Sequence, residues 1–240
     1  MTTNALAAAD GFKAERLFSS QENIKLVLEG YFGKSIKSIE VIPGRKKTDA
    51  RIHFSEGSCN IQIKNYKTAD IEKGNAHQLN RRPLGKCPPL WQGYLGHICL
   101  GRSKNRGRCK GLVKKEFYSP FITPSAEDSK ELIRMATLGN EDDYKPDYMV
   151  LTYMNGVIEN IWIESMTDFL ATCDSAVYET PQESSSGTSV FLCPEVSVQR
   201  KGGDKGAESA NDIQFKFNLS AEIMARHKFR LILNLRTPLP

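Results

Sequence analysis

Asp49, Gln62 and Lys64 are the residues of this chain whose types and spacing suit chemistry on a charged substrate. They lie on two runs of alternating polarity on either side of Ser55-Glu56-Gly57-Ser58. Alternation is the strand signature, and Gly57 supplies the left-handed backbone that a tight turn needs. The pattern predicts a hairpin with Ala50, Ile52, Phe54, Ile61 and Ile63 on one face. Asp49, Arg51, Gln62 and Lys64 fall on the other. Pairing Ser55 with Ser58 sets Asp49 opposite Lys64 and Arg51 opposite Gln62. A carboxylate, a side-chain carbonyl and an ammonium then share one polar patch. Such a patch suits a hard cation held by oxygen ligands, beside a positive charge that can meet a phosphate. The competing reading is a solvated hairpin face, where Asp49 and Lys64 form a cross-strand ion pair worth under about 1 kcal/mol.

Several elements must position that patch. Residues 6–18 and 21–32 read as helices, the second with an apolar stripe of Ile24, Val27, Leu28 and Tyr31, Ser20 as N-cap and Gly33 as stop. Residues 36–42 alternate and predict a strand that ends at Pro43-Gly44, before the hairpin. Residues 74–111 are rich in Gly, Pro and Arg and have little periodicity, which predicts a long connection with some structure around 90–100. Ser125 caps a helix that runs to Leu138, before Gly139-Asn140. Asn155-Gly156 joins a second hairpin, 148–154 and 157–163. Residues 165–173 predict a short helix, and the Ser-rich stretch 181–189 a loop. Strands over 190–192, 196–199 and 212–217, a helical turn over 221–227 and a strand over 229–235 complete the chain. The order predicts an α+β (mixed α/β) fold. It divides into residues 1–145, with the patch and the basic loops, and a strand-rich C-terminal lobe, 146–240, either separate or part of the same domain.

The charge distribution narrows the partner. Net charge is +5 over 240 residues. Eleven Lys and Arg residues fall between Lys73 and Lys115 with no acid among them, which leaves 22 basic against 28 acidic residues elsewhere. A cationic block on an otherwise anionic chain attracts a polyanion, and duplex DNA is the obvious one. Within the block, Arg81, Arg82, Arg102, Lys104, Asn105, Arg106 and Arg108 are candidate contacts, since Arg reads guanine and Asn reads adenine through paired hydrogen bonds. The alternative is a cationic loop that touches phosphates without sequence preference. Gln199, Arg200 and Lys201, at the end of a strand before a Gly-rich loop, are a further candidate contact.

The hairpin residues resemble the PD-(D/E)XK nuclease superfamily, which includes many type II restriction endonucleases. The corresponding residues are Thr48-Asp49 and, twelve residues on, Gln62-Ile63-Lys64. Thr stands where the family usually has Pro, and Gln where it has an acid; both departures occur in relatives such as Mrr-like nucleases. The resemblance covers roughly residues 5–70 and includes a preceding helix that carries Glu15. It implies a mixed sheet flanked by helices. It also implies Mg2+ held by Asp49, Gln62 and the Ile63 main-chain carbonyl, Lys64 as the cation at the attacking water or the phosphate, and Glu15 as the helix acid. The expected activity is Mg2+-dependent cleavage of double-stranded DNA by a type II restriction enzyme, as a monomer or a homodimer. The alternatives are a repair, junction-resolving or Mrr-like nuclease, and a non-catalytic DNA-binding protein with a nuclease fold.

Other classes find little support. No apolar run approaches membrane-spanning length, and the first ten residues carry no basic residue or long apolar stretch of a secretory signal. Six scattered cysteines fit reduced thiols better than a disulfide framework, which with the resemblance predicts a prokaryotic cytoplasm. Cys87, Cys99 and Cys109 with His97 lack the C-x2-C spacing of a zinc site. No phosphate-binding loop, dinucleotide fingerprint or Ser/His/Asp arrangement is present.

Overall fold

The computed structural model describes residues 3–44, 46–66, 76–96, 122–184, 189–201 and 212–235. They form two compact units, and each is assembled from separated stretches of chain. The first takes Met1–Asn75, Leu138–Ala171 and Ser220–Pro240, and the second Ala76–Thr137 and Thr172–Leu219. The fold is α+β, with helices and mixed sheets.

The first unit opens with helices α1 (Thr3–Ser20) and α2 (Glu22–Phe32). Ala14 and Phe18, four apart on one helix face, are fully buried in α1; Ile24 and Leu28 repeat the spacing in α2. The N-cap of α2 is Gln21 rather than the expected Ser20. The Gln21 side chain accepts the Ile158 N–H at 2.9 Å and so ties the helix corner to the sheet. Gly33, in the left-handed conformation at φ 62°, ends α2 as expected.

Six strands follow: β1 (Ile36–Val41), β2 (Ala50–Phe54), β3 (Ser58–Tyr66), β5 (Tyr148–Asn155), β6 (Val157–Ser165) and β11 (Arg230–Asn234), hydrogen-bonded in the order β1-β2-β3-β5-β6-β11. All neighbours are antiparallel except β3 and β5, where Ile61–Tyr66 run parallel to Tyr148–Tyr153. That pairing joins segments on either side of residue 145, so the expected cut at 145/146 does not coincide with the observed units. Ile52, Ile61, Ile63, Val150, Ile161 and Ile163 gather with Phe18, Ile24 and Leu28 into the core between helices and sheet.

The second unit holds a five-stranded antiparallel sheet of β4 (Ala76–Pro83), β7 (Gln182–Glu183), β8 (Val190–Phe191), β9 (Val196–Lys201) and β10 (Asp212–Asn218), ordered β4-β10-β9-β8-β7. In central β10, Ile213, Phe215 and Phe217 are fully buried on one face, while Gln214 and Lys216 take the other, where Gln214 is buried as well. β4 replaces the loop expected at its position. Its sequence is too polar to signal a strand, and pairing with β10 supplies what local propensity lacks. A helix over residues 89–96, here α3, and α4 (Ala126–Leu138) belong to the same unit. Ser125 caps α4 as expected: its hydroxyl accepts the Asp128 N–H, and the Asp128 carboxylate accepts the Ser125 N–H at 2.8 Å. Two helices remain: α5 (Met166–Ser175) and α6 (Ala221–Arg226).

Candidate active site

The hairpin of β2 and β3 forms with the expected faces but a different register. The observed partners are His53 with Ser58, Arg51 with Asn60 and Ala50 with Ile61, and the Phe54 N–H closes the turn onto the Gly57 carbonyl at 3.0 Å. The pairing of Ser55 with Ser58 is therefore off by two residues. A slip of two keeps every side chain on its face. It does move Arg51 away from Gln62. Arg51 instead donates to the Asn60 side chain and the Asp143 carbonyl, at 2.8 and 2.6 Å, so it does not join Asp49 and Lys64.

The ladder stops at Ala50, and Asp49 takes over the exposed edge of β3. The Asp49 N–H donates to the Ile61 carbonyl at 2.8 Å. Its carboxylate Oδ2 accepts the Ile63 N–H at 2.7 Å. The N–H and C=O of one strand residue point to the same edge, so the Ile63 carbonyl lies on the Asp49 side too. Lys64 Nζ stands 3.6 Å from the same Asp49 oxygen, with both side chains more than four-fifths buried. The preceding Thr48 is also buried, and its hydroxyl donates to the Tyr144 carbonyl at 2.8 Å, which pins the chain just before Asp49.

Gln62 is 1% exposed. Its Nε2 donates to the Lys47 carbonyl at 3.3 Å. A carbonyl can only accept, so that bond fixes which end of the amide is nitrogen. Oε1 is left buried without a hydrogen-bond partner. An orphaned buried acceptor is costly in a folded protein and asks for an explanation.

Glu15, half-buried on α1, belongs to the same electrostatic group. Burial and the nearby Asp49 carboxylate push its carboxyl up from 4.5 to about 7, against the opposing pull of Lys64 and Arg16. Glu15 of α1, Asp49 just before β2 and Lys64 of β3 thus form one group, with the Ile63 main chain bonded to Asp49 and Gln62 the neighbouring residue of β3. The donors are all oxygen, with one cation among them. That set fits a hard divalent cation such as Mg2+.

The candidate DNA contacts divide. Arg102, Lys104, Asn105, Arg106 and Arg108 lie outside the described residues. Arg82 is half-buried; its guanidinium donates to the Met135 carbonyl at 3.3 Å, and burial holds its pKa below the usual arginine value. Arg81, the next residue on β4, is exposed. The strand register sets Arg81 beside Gln214 of β10, and Gln214 beside Gln199 of β9. Directly paired residues project to the same face, so these three make one polar row. Gln214 adds a side-chain hydrogen bond to Gln78. Arg200 and Lys201 pair with Ile213 and Asp212. Gln214 is not among the expected contacts, and it joins Arg81 and Gln199 only because β10 lies between β4 and β9.

No protein-family model matches the chain, and no curated protein matches it either.

Proposed function

We propose that the chain is a Mg2+-dependent endonuclease of the PD-(D/E)XK kind that cleaves double-stranded DNA as a type II restriction enzyme. The observation that carries this reading is the grouping of Glu15, Asp49 and Lys64 beside a strand whose buried Gln62 leaves its Oε1 without a hydrogen-bond partner. An ion pair alone leaves that buried acceptor without a partner, and a bound cation would give it one.

Asp49, the Gln62 Oε1 and the Ile63 carbonyl are the residues that would hold Mg2+, with Glu15 adjacent. Bound there, the ion would neutralise charge on the scissile phosphate and acidify a water. The chain's own groups divide the rest of the work. The Ile63 N–H and the Lys47 carbonyl hold Asp49 and Gln62 in place before any substrate arrives, so no reorganisation is needed during reaction. Lys64 Nζ, at a loose 3.6 Å from Asp49, keeps donors available for a phosphate oxygen or the attacking water. Glu15, with a pKa of about 7, can accept a proton at its carboxylate near neutral pH. The cationic block of residues 73–115 and the row of Arg81, Gln214 and Gln199 supply phosphate and base contacts. This reading places the protein in a prokaryotic cytoplasm. Among the described residues no helix is long and apolar enough to cross a membrane.

The decisive experiment is a digest of sequenced plasmid DNA with Mg2+, with Ca2+ and with chelator. Discrete fragments in Mg2+ alone, lost in Asp49→Asn, are the expected result. Cleavage confined to methylated or branched substrates would point to a modification-dependent or junction nuclease. Tight binding with no cleavage under any metal would leave a DNA-binding protein.

A further inference from the structure

A second cluster of metal-ligating side chains lies in the second unit, built from residues the nuclease reading does not use. Cys173 is on α5. Cys193 and Glu195 flank Pro194 in the turn between β8 and β9. The two sulfurs and a carboxylate oxygen lie within 4.8 Å of one another, and all three side chains are fully buried.

The turn that carries two of these groups is held from several directions. The Leu192 N–H donates to the Val196 carbonyl at 2.9 Å, and Val196 returns a bond from its own N–H to the Cys193 carbonyl at 3.3 Å. Asn218 braces it from β10. Its N–H donates to the Glu195 carbonyl at 2.7 Å, and its Nδ2 to the Pro194 carbonyl at 3.0 Å. The Asn218 side-chain oxygen in turn accepts the Ser197 hydroxyl at 3.1 Å. Cys193 and Glu195 are thus fixed by main-chain bonds, as metal ligands are when outer partners orient them.

Two thiols and a carboxyl group brought together in the core offer three ligand atoms of the kinds that bind metal. As thiolates around a dication, the same three groups become a coherent ligand set. Sulfur donors select against Mg2+ and Ca2+, and two thiolates with a carboxylate suit Zn2+.

We propose that Cys173, Cys193 and Glu195 bind one Zn2+ through three protein ligands, with a fourth position left for a small ligand. Each cysteine gives up one proton to solvent on binding. The ion ties Cys173, near the C-terminal end of α5, to the turn between β8 and β9 within the second unit. This proposal is independent of the nuclease reading and of the site around Asp49.

The test is metal analysis of the full-length protein purified without added metal or chelator, followed by exchange into Co2+. One zinc per chain is expected, with a sulfur-to-cobalt charge-transfer band after exchange. Cys173→Ser and Cys193→Ser should each lose the stoichiometric metal. Glu195→Gln, which keeps size and shape, should fold and bind zinc at least tenfold more weakly in a chelator competition. If the serine variants fail to fold, the wild-type spectrum and Glu195→Gln still decide. Wild-type protein that folds without zinc and gives no cobalt–sulfur band overturns the proposal. So does Glu195→Gln with unchanged zinc affinity, and so does an unreduced chain lighter by two hydrogens with Cys173 joined to Cys193.

Discussion

The Asp49 carboxylate and the Lys64 ammonium stand 3.6 Å apart at the one place where β3 runs on past its partner β2. The same carboxylate oxygen accepts the Ile63 N–H, so a side chain closes a ladder position that main chain would otherwise fill. Asp49 therefore has a structural task and a candidate chemical one. A substitution can separate them. Asp49→Asn keeps an oxygen to accept the Ile63 N–H and loses the charge. It should unfold within about 1 kcal/mol of wild type, while Asp49→Ala costs about 1–3 kcal/mol by stranding that N–H. Both should cut DNA at least about 100-fold more slowly, as should Lys64→Ala. All three should still bind DNA in Ca2+. Denaturant melts beside single-turnover cleavage check this, and near-normal cutting by Asp49→Asn would remove Asp49 from the chemistry.

Gln62 gives a prediction that needs no substrate. Gln62→Glu places a second carboxylate in a buried site next to Asp49. Without metal the repulsion and burial should cost on the order of 1–3 kcal/mol. Mg2+ should recover most of that loss, because the variant then offers the ion a second carboxylate. Thermal melts of wild type and Gln62→Glu, with and without Mg2+, measure it. The variant should gain several degrees more from Mg2+ than the wild type. Equal gains would mean that Mg2+ does not bind beside Gln62.

Glu15 makes the site sensitive to pH, and the sign is fixed by its raised pKa. The folded state holds the Glu15 proton up to about pH 7, while the unfolded chain releases it near 4.5. Its contribution to stability is therefore full below the unfolded value and is lost as pH rises through the folded one. Glu15→Gln cannot ionise, so it should match wild type near pH 4 and be the more stable protein at pH 8 in metal-free buffer. Cleavage should rise through about pH 7 in wild type as Glu15 ionises, and that limb should vanish in Glu15→Gln. A pH-independent stability difference between the two would show that Glu15 titrates normally.

Most elements were legible because their signals are local. Ser125 and Asp128 mark a helix start by capping chemistry, and the alternation of Ala50, Ile52 and Phe54 marks a strand whatever surrounds it. Faces were legible for the same reason, and they survived a register error. What failed was non-local. β4 has no apolar alternation in Gln78-Leu79-Asn80-Arg81-Arg82, and becomes a strand only beside Phe215 and Phe217 of β10. The parallel pairing of β3 with β5 joins stretches more than 80 residues apart and has no local signal in composition. Within the site, Asp49, Gln62 and Lys64 came from spacing, and Glu15 from resemblance. The Lys47 carbonyl and the Thr48 hydroxyl, which hold those residues in place, have no sequence signature.

The cationic block should govern affinity through phosphate charge. Arg102, Arg106 and Arg108 lie outside the described residues, so their number and sign alone carry the argument. Each phosphate contact adds close to one unit to the slope of log affinity against log salt. Neutralising any two of the three should flatten the slope by up to about two units, measured by fluorescence anisotropy across a salt series in Ca2+. An unchanged slope would put the DNA elsewhere on the protein.

Base reading should fall instead to the row of Arg81, Gln214 and Gln199, or to an arginine of the block. Arg81 projects from β4 beside Gln214, and Gln214 lies beside Gln199, so one guanidinium and two amides share a sheet face. Arg offers paired donors to guanine, and Gln a donor and an acceptor to adenine. Arg82 projects the other way and holds the Met135 carbonyl, so Arg82→Ala should act on stability more than on DNA. A base-reading residue loses about 1–3 kcal/mol on its cognate site and little on scrambled DNA; a phosphate contact loses the same on both. Arg81→Ala and Gln199→Ala should therefore weaken cognate binding selectively, compared at fixed salt in Ca2+ on cognate and scrambled duplexes. Equal losses on both duplexes for every variant in the row would reduce this face to a phosphate contact and leave sequence reading to Arg102, Arg106 or Arg108.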